Sequence, residues 1–248
     1  MADKAEQRSA EVDLSRLAEG YRHREPSTDS LDRARRTGLS LPEAARIADI
    51  GGGPGHHAAV WADQGHDPVV IDPGGEMTRP ARDRGLAVVR GASQALPFRD
   101  ASFDLAWFHL SIHYGDWQRA VEEAVRVTRD GGLIEIWTLA ADHHESSMLA
   151  RWFPSVTGID AARFPDPSAI ERSLAGRTRS VTRTAVTEHK QRPAGEWAAA
   201  VEAGFVSTLQ LVDAQERREG LAAFHRAHPD PAVEITYELR FDQVRAIR

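Results

Sequence analysis

The residues best suited to chemistry begin at Asp49-Ile50-Gly51-Gly52-Gly53-Pro54-Gly55, where an acid precedes four glycines in five positions. Glycine lets the backbone turn sharply and approach a ligand with no Cβ in the way, and a plain turn does not need four of them. A second acid, Asp72, ends the apolar run Val69-Val70-Ile71, 17 residues after Gly55. A carboxylate in that place can accept two hydrogen bonds from hydroxyls; capping a helix N-terminus is the simpler alternative. The spacing also disfavours one ligand class. A dinucleotide fingerprint is G-x-G-x-x-G; Gly51 and Gly53 fit it, but His56 occupies the third position. Pro54 removes one of the backbone donors that pyrophosphate capture uses. A nicotinamide-dependent oxidoreductase is therefore the weaker reading.

Candidates for proton transfer lie in Phe108-His109-Leu110-Ser111-Ile112-His113-Tyr114-Gly115-Asp116, with Trp137 further on. An imidazole with a reference pKa of ~6.5 can take a proton from a phenol or hydroxyl. His113 is the first candidate and His109 the second; for His113 a hydrogen bond that only holds a loop is the alternative. The pairs His56-His57 and His143-His144 raise the question of a metal. Neighbouring residues point to opposite faces of a strand and stand about 100° apart on a helix, so such a pair rarely chelates one ion. No metal site is expected. The chain has no cysteine, which excludes disulfide scaffolds, thiolate metal sites and cysteine nucleophiles.

These groups need a frame. Short apolar runs at 46–50, 68–72, 86–90, 102–108 and 133–137 read as strands, and helical patterns follow most of them. The glycine loop sits where the first strand meets its helix, the place where an open α/β sheet binds its ligand. A helix over 76–84 must be kinked or shortened by Pro80, 117–128 is amphipathic, and Asp130-Gly131-Gly132 turns the chain into the fifth strand. Before them, Asp29 or Ser30 caps a short helix through Thr37, closed by Gly38. Continuous apolar strands alternating with helices predict a parallel sheet buried on both faces. Beyond residue 140 the pattern is less regular, with a strand over 180–188 and helices over 195–203 and 214–225. The last element is a strand in which Val233, Ile235, Tyr237, Leu239 and Phe241 alternate with polar residues. That period of two suits an antiparallel strand at or near the sheet edge.

The composition is that of a globular chain, with 41% hydrophobic and 27% charged residues. Lys and Arg number 31 against 37 acids, a net charge of −6, which argues against nucleic acid as the main partner. No apolar run approaches the ~18–20 residues needed to span a bilayer, and the polar start Met1-Ala2-Asp3-Lys4 has no signal-peptide core. A soluble, cytoplasmic protein without membrane partners is expected.

Taken together, these segments resemble the class I S-adenosylmethionine-dependent methyltransferases, in particular the small-molecule group related to the ubiquinone and menaquinone enzymes. The first motif of that family, an acid followed by G-x-G-x-G, is matched by Asp49, Gly51, Gly53 and Gly55. Its second strand ends in an acid that binds both ribose hydroxyls, matched by Asp72. Gly91-Ala92-Ser93-Gln94-Ala95-Leu96-Pro97-Phe98 is similar to the family's G-D-A-E-x-L-P-F. Here Ala92 replaces an acid that often contacts adenine and Gln94 replaces the glutamate, which leaves Ser93 and Gln94 to bond the base. His113, Arg126-Val127 and Asp130-Gly131-Gly132 match the segment after the fourth strand. Phe108-His109-Leu110-Ser111 stands where nucleic-acid methyltransferases carry D/N-P-P-Y. The resemblance covers residues 47–138.

It implies a Rossmann-like α/β fold with a mostly parallel seven-stranded sheet and an antiparallel C-terminal strand. Residues 1–45 would form an arm or lid, with Tyr21 closing over the cofactor. Residues 46–248 would be the cofactor-binding domain, of which 141–230 supply the acceptor pocket. S-adenosylmethionine would touch Asp49, Gly51, Gly53, Gly55, Asp72, Pro73, Met77, Ser93, Gln94, His109 and Tyr21. The implied activity is methylation of an oxygen, nitrogen or carbon of a small molecule, in bacterial secondary or quinone-type metabolism, by a monomer or homodimer. A non-methylating member of the fold, a cyclase or a regulatory subunit, is the alternative.

Overall fold

The computed structural model describes Val12, Asp13 and residues 27–248. Tyr21 and most of the expected arm lie outside the described residues. Helix α1 (Thr28–Leu39) starts before the expected caps, because Ser27 is extended and its hydroxyl accepts the Ser30 N–H. It also passes through Gly38 and ends at Ser40. Gly38 is not a stop signal: a Cβ there would stand 2.9 Å from Trp61 Cδ1 and collide with the Gln64 side chain. Its role is close approach to helix α2 (His56–Asp63). There Trp61 Nε1 donates to Ala34 O at 2.8 Å, and Gln64 Nε2 donates to Arg35 O at 3.0 Å.

Strands β1 (Arg46–Ile50), β2 (Asp67–Asp72), β3 (Ala87–Arg90), β4 (Phe103–His109) and β5 (Thr128–Leu139) alternate with α2, α3 (Arg79–Asp83) and α4 (Trp117–Val127). Pro80 lies in the first turn of α3, where a missing N–H costs nothing, so the helix is shortened rather than kinked. Asp130-Gly131-Gly132 is not a turn but part of β5: the Gly131 N–H donates to Arg248 O and the Arg248 N–H to Gly132 O, which extends the ladder. With β6 (Ser180–Pro193) and β7 (Glu234–Ile247) the seven strands lie in the order β3-β2-β1-β4-β5-β7-β6. Those from β3 to β5 are parallel. The direction of the bonds at Gly131, Gly132 and Ala140 makes β7 antiparallel to β5. β6 takes the edge.

Two compact units share the chain, one with residues 26–138, 165–184 and 242–248, the other with 139–164 and 185–241 among its described parts. In the first unit the two faces of the sheet differ. One face is apolar: Ala48, Ile50, Ala106, Phe108, Ile134, Ile136, Val244 and Ala246 meet α4 and α8 (Pro167–Ala175). The other carries Asp49, Trp107, His109, Glu135 and Trp137, all in register across β1, β4 and β5. Both faces are buried, and the second mixes its polar side chains with Ile47, Leu105 and Trp107. The buried side of β7 also changes parity: Ile235 and Phe241 are buried, then Asp242, Val244 and Ala246, so the strict period of two ends where the strand passes from one unit to the other.

The second unit packs α5 (His143–Ser146), α6 (Met148–Trp152), α7 (Ser155–Arg163), α9 (Ala194–Glu202) and α10 (Ala214–Ala227) around Phe153, Trp197, Val201, Leu209 and Phe224. The Trp197 and Phe224 rings lie 4.4 Å apart. Gly220 of α10 lies flat on Phe153, with no space for a side chain: a Cβ would stand 2.6 Å from the ring Cδ1. Helix propensity favours Ala over Gly by about 1 kcal/mol, whereas overpacking a core costs roughly 1–3 kcal/mol or more. Gly220→Ala is therefore expected to lose about 1–2 kcal/mol net, read as a lower urea midpoint; an unchanged or higher midpoint would refute this packing.

Candidate functional site

The strand order reverses direction between β1 and β4, and the loops leaving those two strands meet there. Gly51 has φ 72°, and a Cβ on it would collide with Ser111, with the Oγ at 2.9 Å. Gly55, at φ 74°, opens α2, and its missing side chain leaves room for Ala81 and Leu86, each within 3 Å of the Cβ position at 2.8 and 2.9 Å. The loop is thus closed to side chains from both sides.

Asp72 leaves the end of β2 and accepts two backbone N–H groups, Gly53 at 3.2 Å and Gly74 at 2.8 Å. It caps no helix, since α3 begins seven residues later at Arg79. Burial raises its pKa, and the two N–H bonds oppose that shift. One bond to each oxygen leaves each a further lone pair. Two hydroxyls on adjacent carbons can use them. Met77 is buried beside the loop, its Cε 3.4 Å from where a Gly53 Cβ would lie, while Pro73 is exposed.

Asp49 lies beneath the loop, 1% exposed. Its pKa is raised to about 7, first by burial and further by the Asp72 charge, against the pull of the Ala58 N–H. Oδ2 has no hydrogen-bond partner among the described residues and lies 2.5 Å from the position a Gly52 Cβ would take.

Ser93 donates to Gln94 Oε1 at 3.3 Å, and the Gln94 amide lies against Gly115. This brings both residues to the loop that carries His113, which is buried with its ring 4.2 Å from that of Tyr114. Asp116, another candidate, caps α4 by accepting the Gln118 and Arg119 N–H groups.

His109 points to the other side. Its Nε2 is 3.1 Å from Arg33 Nη1, and because guanidinium only donates, that nitrogen is the acceptor and the proton sits on Nδ1. The Arg33 guanidinium also stacks 4.1 Å over Trp137. Burial lowers the Arg33 pKa to about 10, which leaves it charged at neutral pH. His109 is 4.7 Å from His57, itself 2.7 Å from Ser30 Oγ.

Sequence reasoning missed Ser111, Arg33 and Glu135. Glu135 is fully buried and accepts from Trp137 Nε1 at 2.8 Å, Gln243 Nε2 at 2.6 Å and Thr37 Oγ1 at 3.2 Å, with Arg245 at 3.3 Å. An acid within the apolar run of β5 was its visible signal; nothing marked Arg33 within a polar helix. In the second unit, burial lowers the pKa of His143 to about 4; the His144 pKa is also lowered by burial. His143 Nδ1 accepts the Arg240 N–H at 3.3 Å.

Residues 48–136 match the family described as methyltransferase domain. Over this third of the chain the sequence is similar to methyltransferase domains. A malonyl-[acyl-carrier protein] O-methyltransferase from Enterobacter lignolyticus is 34% identical over 135 residues, 53% of each chain. An uncharacterized methyltransferase from a Mycobacterium species is 38% identical over 97 residues, 38% of each. The chain spans about half the length of the curated relatives it matches. The YcgJ protein of Bacillus subtilis has the same fold, with TM-score 0.65 and 18% identity over 90% of this chain and 99% of its own. The matched segment holds the glycine loop, Asp72, Gln94, His109 and His113; the second unit lies outside it.

The Asp49 carboxyl leads to a pH test. With a folded pKa above the ordinary ~3.9, its protonation stabilises the fold fully below ~4, and that contribution is lost as pH rises to about 7. Asp49→Asn has no such titration. The variant is expected to gain on the wild type between pH 4 and pH 8 by roughly 1–3 kcal/mol in urea unfolding. Parallel pH profiles would show that burial does not govern this group.

Proposed function

We propose that this methyltransferase domain moves a methyl group from S-adenosylmethionine to an oxygen, nitrogen or carbon of a small molecule. The observation that carries the proposal is Asp72, fixed by the Gly53 and Gly74 N–H groups with a lone pair free on each oxygen, beside a loop closed to side chains. That arrangement suits a ribose diol, and the unpartnered Asp49 Oδ2 below the loop marks the same place as polar.

When bound, the sulfonium supplies an activated methyl and a neutral leaving group, so the protein's task is alignment and exclusion of water. In this proposal Asp72 orients the sugar, Met77 and Pro73 border the base, and Ser93 with Gln94 bond its edge. His113 stands on the acceptor side and takes a proton where the acceptor must lose one. His109, with Nε2 engaged by Arg33, holds that side of the crevice rather than moving protons through Nε2. Residues 141–230 supply the acceptor pocket. The protein acts in the cytoplasm as a monomer or homodimer, in secondary or quinone-type metabolism. Phe153 and Trp197 are fully buried and serve as core, not pocket lining.

Calorimetric titration tests the cofactor. S-adenosylhomocysteine should bind the wild type, NAD should not, and Asp72→Ala should weaken binding on the order of 10–100-fold, the worth of one or two hydrogen bonds to a charged group. Wild-type protein indifferent to the nucleoside at millimolar concentration, or unaffected by the substitution, would refute the assignment. A panel of phenols, amines and carboxylic acids, with a malonyl thioester included for the named relatives, then tests the acceptor through release of S-adenosylhomocysteine. With any accepted substrate, His113→Ala should cut that release by more than about 10-fold with near-normal nucleoside affinity; a loss of only a few-fold would remove His113 from the chemistry.

A further inference from the structure

Resting on the cofactor assignment above, we propose that Ser111 is a positioning residue that fixes the bend by which β1 enters the glycine loop. The bend begins at the peptide group between Ile50 and Gly51, where φ of Gly51 is 72°. Its N–H donates to Ile71 O of β2 at 2.7 Å. Its carbonyl, Ile50 O, accepts from Ser111 Oγ at 2.6 Å in a buried bond. The peptide is thus held from both neighbours, on one side by the backbone of β2 and on the other by a side chain beyond β4.

Ser111 stands just past the point where the chain leaves β4. Ile50 is paired with Phe108 at the end of the ladder. Two residues on, the Leu110 N–H donates to Trp137 O of β5 at 2.9 Å, away from β1. Leu110 adopts φ 52°, a conformation that costs a non-glycine residue about 1 kcal/mol or more and collects at functional sites. Ser111 follows this left-handed residue and turns its hydroxyl back to Ile50 O of β1. Ser111 also fills the space a side chain on Gly51 would need. The same loop continues through the Tyr114 N–H, which donates to Ser111 O at 3.2 Å, to Gly115 against Gln94. One hydroxyl therefore ties the cofactor bend to the segment that carries His113.

Ser111→Ala removes the hydroxyl and keeps the packing; Ser111→Thr keeps the hydroxyl. Titration with S-adenosylhomocysteine, at a temperature where each variant is fully folded, should give about 10-fold weaker binding for Ser111→Ala. Ser111→Thr should stay within about 3-fold of the wild type. A Ser111→Ala protein that binds as tightly as the wild type, whatever its melting temperature, overturns the proposal, since the serine is then only structural. So does a Ser111→Thr protein as weak as Ser111→Ala. Wild-type protein that ignores the nucleoside overturns the cofactor assignment itself, and this proposal with it.

Discussion

The chain leaves β1 through a passage with no room for a side chain, and the rest of the site follows from that constraint. Ser111 closes one side of the passage and Ala81 with Leu86 the other. Since Cβ atoms are excluded at Gly51 and Gly55, backbone amides line the loop, and one of them, Gly53 N–H, is turned to Asp72. The carboxylate is in consequence held by main chain from both the first and second βα junctions. Its direction depends on the strand ladder, the most rigid part of the fold, and not on a flexible partner.

The two faces of the sheet divide the work of stability and chemistry. On one face aliphatic and aromatic side chains meet α4 and α8 in a continuous apolar cluster. The other face accepts Asp49, Glu135 and Arg33 into the interior, where a lone charge costs several kcal/mol unless it is hydrogen-bonded. Glu135 meets that cost with four partners. Arg33 meets it by stacking on Trp137 and donating to His109. Asp49 meets it by taking up a proton near neutral pH. The polar face is the one α1 and α2 cover, so the helix that begins at the glycine loop rests on a hydrogen-bonded layer and not on a fluid apolar one.

Much of this was legible in the residues because the signals are local. Four glycines between a strand and a helix, and an acid at the end of the next strand, need no knowledge of distant partners. Gly38 misled because a glycine that ends a helix and one that lets two helices touch look alike in sequence; only the position of Trp61 and Gln64 separates them. Glycines at 131 and 132 misled in the same way, since the ladder to Arg248 is a contact over more than a hundred positions. Ser111, Arg33 and the tautomer of His109 had no local signal at all. Each depends on which strand lies beside which, and that order is a property of the folded sheet.

The route of the backbone between the two compact units has a consequence for how such proteins diversify. The chain changes unit after Thr138, Phe164, Thr184 and Phe241, so neither unit is written as one uninterrupted stretch of gene. A recombination event with a single crossover cannot exchange the second unit for another; it would leave β6 and β7 half native and half foreign. The second unit varies more simply by point substitution or by paired insertions within 139–164 and 185–241, which leave β1 to β4 unaltered.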